Sequence, residues 1–84
     1  MRRFVGRVVE VEMDDGTPIA VLWGGRHAVV DLLAEVDRPD LNHDWWRRRH
    51  QRRLLVRTDS GLVMELHQER RKGRWTLYAV DDQG

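Results

Sequence analysis

Trp45 and Trp46 run directly into Arg47, Arg48 and Arg49, and Arg52 and Arg53 follow, so five guanidinium groups crowd into seven residues beside two indoles. No acidic residue lies between Asp44 and Asp59, and Arg57 falls inside that interval. A guanidinium fork matches phosphate oxygens and stacks on flat rings, while an exposed aromatic face stacks on a base for about 1–3 kcal/mol. The chemistry these types and spacings allow is contact with single-stranded or distorted nucleic acid, or another polyanion, through Trp45, Trp46, Arg47, Arg48, Arg49, Arg52, Arg53 and Arg57. A plainer use competes with it: a solvated face paired with Asp37, Asp40 and Asp44, in which one indole caps a barrel end beneath arginine stems. Neighbouring residues of an extended chain point to opposite sides, so at most one of Trp45 and Trp46 enters a core.

The remaining reactive types are scattered. His27, His43, His50 and His67 show neither helical i, i+4 spacing nor tight clustering, so no metal site is expected. Asp14-Asp15 falls in a turn and Asp81-Asp82 near the end of the sequence, where solvated carboxylates keep ordinary pKa values. No serine or threonine stands in a nucleophile-elbow context, and Gly24-Gly25 is too short to cradle a phosphate. Cysteine is absent, which removes disulfides, thiolate ligands and thiol nucleophiles together. The expectation is a binding protein without catalysis, cofactor or metal.

The net charge of +1 hides an asymmetry. Residues 1–44 hold five arginines against nine acids, a balance of −4, and residues 45–84 hold nine arginines and Lys72 against five acids, a balance of +5. Local positive potential attracts a polyanion even when the whole chain is nearly neutral. An 84-residue chain that is 40% hydrophobic and 35% charged fits one small globular domain, residues 1–84. No apolar run is long enough to span a bilayer and the N-terminus turns charged too early for a signal peptide, so a cytoplasmic location is expected.

The elements that must position these residues read as strands. Val5, Val9, Val11 and Met13 alternate with Glu10 and Glu12; Asp15-Gly16 supplies a tight hairpin turn, and Pro18 opens a second strand with Ile19, Val21 and Trp23 on one face. Gly24-Gly25 turns into a third strand over 26–33, whose alternation is less clean. Glu35, Asp37, Pro39, Asp40 and Asn42 break both periods, so 35–51 reads as a long loop or a short helical turn capped by Asp44. Beyond it Leu54, Val56 and Thr58 oppose Leu55 and Arg57, Ser60-Gly61 turns into Leu62-Met64-Leu66, and a sixth strand sets Trp75, Leu77 and Ala79 against Thr76, Tyr78 and Val80. The fold class is all-β: about six short antiparallel strands in two meanders, forming a strongly bent sheet or a small open barrel with Trp23 and Trp75 in its core.

The stretches "DGTPIAVLWGGRHAVVDLL", "WW" and "LVRTDSGLVMELHQERRKGRWTLYAVDD" carry a resemblance over nearly the whole chain. Its markers are Asp15-Gly16, Pro18, Trp23, Gly25-Arg26, Trp45-Trp46, Arg57-Thr58, Gly61, Glu65-Leu66, Trp75, Leu77 and Val80-Asp81. On these the sequence resembles a small bacterial family known only as a domain of unknown function, which also occurs appended to Y-family polymerase-like proteins of a translesion mutasome. The resemblance implies an all-β accessory domain tied to DNA repair or damage tolerance, with no catalytic residues. A second role, docking onto a polymerase or repair subunit through a strand edge or the basic loop, fits the same sequence.

Overall fold

Asp15 and Gly16 both adopt positive φ, 49° and 80°, the requirement of a two-residue hairpin whose twist suits the strands on either side. That turn joins the first two of six strands in a computed structural model that describes residues 1–39, 50–69 and 73–82. The strands are β1 (Arg2–Asp14), β2 (Thr17–Leu22), β3 (Arg26–Pro39), β4 (His50–Thr58), β5 (Val63–Glu69) and β6 (Arg74–Asp81). Each pairs antiparallel with its sequence neighbour, and β6 pairs with β1 to close a barrel. The six antiparallel strands and the small barrel agree with the fold class read from sequence, and the barrel is closed.

β1 is long enough to serve two sheets. Arg2 to Val9 register with β6, whereas Glu10 to Asp14 register with β2. β3 does the same, pairing with β2 through 26–28 and with β4 from Val29 to Pro39. Closure therefore depends on bending two strands. Gly6 supplies one bend: its φ of 65° falls at a bulge where Val5 and Gly6 together face one residue of β6.

Alternation places the core. Val21, Leu54, Val56, Met64, Leu66, Trp75, Leu77 and Val80 pack together at 5% exposure or less, with Val5, Val9, Val11, Met13 and Trp23 half-buried around them. Such burial is worth about 1.5–3 kcal/mol for each large side chain.

Bulges alter the phase in three further strands. In β6 the register passes from Ala79 to Leu77, leaving Tyr78 as the extra residue, so Val80 turns inward beside Leu77, while Ala79 shares the face of Glu65 and is covered there at 3% exposure. The expected grouping of Val80 with Thr76 and Tyr78 is corrected by that bulge. In β2 the register skips Ile19, which is 40% exposed and does not share the face of Val21. Val30 and Leu33 are skipped in β3, and both are exposed. The untidy alternation of that segment has this as its cause.

Strand also extends into the segment expected to be a loop. β3 continues through Glu35, Asp37 and Pro39, and β4 begins at His50. From Val29 onward β3 pairs on one side only among the described residues, and an edge position tolerates both charges and a proline that cannot donate. The helical turn considered at Asp44 lies outside the described residues.

Candidate nucleic-acid interface

Strand periodicity divides the arginines of β4. Arg52 shares the inward face with Leu54, Val56 and Thr58, while Arg53 and Arg57 alternate to the outer face. Trp45, Trp46, Arg47, Arg48 and Arg49 lie outside the described residues.

Arg52 closes one end of the barrel. Its side chain is 17% exposed; Nη2 lies 2.6 Å from Glu35 Oε1 and donates to the Gly16 carbonyl at 2.8 Å, and Nε reaches the same Glu35 oxygen at 2.7 Å. The guanidinium carbon stands 6.0 Å from the centre of the Trp75 ring, so the cation caps the largest core side chain. This side chain is committed to the fold, which corrects its grouping with a surface patch. The capping weighed for Trp45 or Trp46 lies outside the described residues.

Arg57 and Asp31 stand opposite each other on β4 and β3 and pair at 3.0 Å, each about half exposed. Arg53 stands opposite His67 of β5, exposed on the same outer face.

Next to these arginines runs an aromatic ladder absent from the sequence-based site. The Tyr78 ring stacks on the His67 imidazole at 4.5 Å and 12°, and Phe4 of β1 meets Tyr78 edge-on at 5.0 Å and 84°. His67 Nε2 lies 2.6 Å from Glu65 Oε2, and Arg2 Nη2 donates to Glu65 Oε1 at 2.5 Å. Phe4 is 71% exposed. Its tip approaches Gly6, where an added Cβ would stand 2.9 Å from the ring. Most of the ring is left in solvent, an apolar surface steadied by Tyr78. The sequence carried one signal for it, Phe4 two residues before Gly6, but only the bulges put Phe4 and Tyr78 on the same outer face.

Adjoining this ladder is a shallow cavity of about 250 Å³. Leu33, Leu55, Val63 and Ala79 form its apolar part, and Arg2, Glu65 and Asp81 its charged part.

A second polar cluster ties turns together. His27 Nε2 lies 2.9 Å from the Trp23 carbonyl, which can only accept, so this nitrogen donates and in the neutral ring Nδ1 accepts from Ser60 Oγ at 2.7 Å. Ser60 Oγ is also 2.7 Å from Thr58 Oγ1, and the Ala28 and Asp59 backbones are joined by Asp59 N–H donating to the Ala28 carbonyl at 2.8 Å. A hydroxyl at this distance from an imidazole has the geometry of an activated nucleophile. Here the His27–Ser60 and Asp59–Ala28 contacts pin the β4–β5 turn to the start of β3. Among the described residues no three acidic or imidazole side chains gather into a cation site.

No family model, curated protein or solved structure matches this chain.

Proposed function

We propose that this barrel is a non-catalytic accessory module that holds single-stranded or distorted nucleic acid against the outer face of β4, β5, β6 and β1. The observation that carries the reading is the Phe4–Tyr78–His67 ladder: an aromatic ring 71% exposed, braced by two stacked rings, on the same face as Arg53 and Arg57. Bases stack on such rings whatever their identity, and guanidinium groups on neighbouring strands meet the phosphates between them. The chain adds Arg47, Arg48 and Arg49 shortly before β4, which raises the local positive charge. The described elements are strands throughout, and none is a helix that could read a major groove, which suits binding without base-pair readout. The family resemblance supplies the setting, DNA repair or damage tolerance.

Anisotropy titration of a labelled oligo-dT strand tests the reading. Binding that falls about tenfold in Phe4→Ala, with the fold intact by circular dichroism, is the expected result. Equal affinity of the two proteins removes the aromatic ladder from the interface.

A second reading rests on a different observation. Residues Arg2 to Val9 of β1 pair only with β6 among the described residues, which leaves one side of this strand open to an added strand from a polymerase or repair subunit. Pull-down with the protein, comparing the original chain with Val8→Pro, separates the two: loss of a defined protein partner with DNA binding intact supports docking.

A further inference from the structure

Resting on the outer-face reading above, we infer that the cavity beside the aromatic ladder is a base pocket that selects guanine within a single strand. The strip across the sheet is continuous. Leu55 registers with Glu65, Glu65 with Ala79 and Ala79 with Phe4, so the cavity and the exposed ring occupy one row running across β4, β5, β6 and β1. A strand stacked on Phe4 and continuing along this row passes directly over the cavity.

Size sets the first limit on the occupant. The cavity's roughly 250 Å³ is smaller than the about 300–1,000 Å³ that drug-sized ligands take, and equals the liquid volume of about eight waters. One planar heterocycle fits that space. Leu33, Leu55, Val63 and Ala79 offer it apolar surface.

The charged part of the cavity sets the second limit. Arg2 and Asp81 stand directly opposite each other across β1 and β6, a forked donor next to a forked acceptor. Arg2 gives one Nη2 hydrogen bond to Glu65, whose other oxygen meets His67. Asp81 Oδ1 lies 3.4 Å from the Met1 ammonium. The other Arg2 donors and Asp81 Oδ2 enter no hydrogen bond or ion pair with described residues. The Met1 ammonium is 95% exposed and yields Asp81 Oδ1 easily, so a base that engages both forks must present two adjacent acceptors and two adjacent donors. Guanine does so, with O6 and N7 on one edge and N1–H and N2–H on another; adenine, cytosine and thymine lack an adjacent donor pair. The carboxylates of Glu65 and Asp81 disfavour a phosphate at this spot, so the base enters the cavity while the backbone passes outside.

The test compares labelled strands of about eight nucleotides, all thymine apart from one central position that holds guanine, adenine, cytosine or thymine. Guanine binds about fivefold or more tightly than the other three, the effect of one good forked contact. Arg2→Gln and Asp81→Asn each abolish that preference. Equal affinity for all four strands overturns the guanine pocket and leaves outer-face binding standing. Failure to bind any strand at low salt overturns both. The four-strand comparison uses the unaltered protein, so it decides the matter even where a variant folds poorly.

Discussion

Arg52 lies across the Trp75 indole at 6.0 Å and is held there by Glu35 from β3 and the Gly16 carbonyl from the first hairpin. One side chain therefore joins three parts of the chain that are distant in sequence. Removing it leaves Glu35 without its partner and opens the end of the core. Arg52→Ala is expected to lose about 1–3 kcal/mol, with the lower part of that range reflecting Glu35's partial exposure. Thermal melts read this as a drop of roughly 4–8 °C per kcal/mol. Arg53→Ala, one residue on and facing outward, should shift the midpoint much less.

Phe4→Ala separates function from stability. The ring is 71% exposed and gains little from folding, yet it is the open stacking surface of the ladder. Chemical denaturation should change by less than about 1 kcal/mol while nucleic-acid affinity falls by an amount near one lost base stack, about 1–3 kcal/mol.

Gly6→Ala tests the bulge. The added methyl meets the tip of the Phe4 ring at 2.9 Å, which the ring can relieve by swinging away, but the φ of 65° remains unfavourable for alanine. A loss of about 1–2 kcal/mol is expected. Comparing Gly6→Ala with the Phe4→Ala/Gly6→Ala double variant isolates the steric part: non-additivity above about 0.5 kcal/mol shows that ring and backbone are coupled.

Salt dependence counts the phosphates. On single strands each neutralised phosphate contributes about −0.7 to the log–log slope of affinity against salt. Arg53→Gln and Arg57→Gln should each flatten the slope by about that amount. Two unchanged slopes would move the contact off this face.

Bulges also predict an asymmetry in β6. Val80→Ala is expected to cost about 1–2.5 kcal/mol because Val80 is 1% exposed in the core, while Thr76→Ala, on the face it was grouped with from sequence, costs under about 1 kcal/mol. Urea melts of the two variants check the difference.

Where strand period ran unbroken, residue types alone indicated the fold. Leu54, Val56 and Thr58 of β4 and Met64 and Leu66 of β5 point inward as their alternation requires, and Asp15-Gly16 forms the turn its residue types favour. A bulge adds one residue without leaving a compositional mark, so the faces beyond Ile19 and Tyr78, and those between Val30 and Leu33, are shifted relative to simple alternation. The strand character of Glu35 to Pro39 was hidden for another reason: charges and proline disqualify a central strand but suit an edge. Among the arginines, alternation alone separates Arg52 from Arg53, yet Arg52's place depends on Glu35, 17 positions away, and Gly16, 36 away. Local pattern carries no information about partners at that distance.

The β1–β6 seam sets the order in which the molecule can be made. Arg2 registers with Asp81 and Val9 with Trp75, so the contacts that seal the barrel join residues nearly a whole chain apart. Loop closure over such separations slows folding toward the millisecond-to-second range of barrels rich in distant contacts. During synthesis β1 is made before β2, β3, β4 and β5, and it stays without β6 until all of these have been made. Arg2, Arg3 and Arg7 put three positive charges and no acid on its β6-pairing part, Arg2 to Val9, during that interval. Like charge along an unpaired strand resists association with other copies, so the same arginines protect the chain before it has a fold.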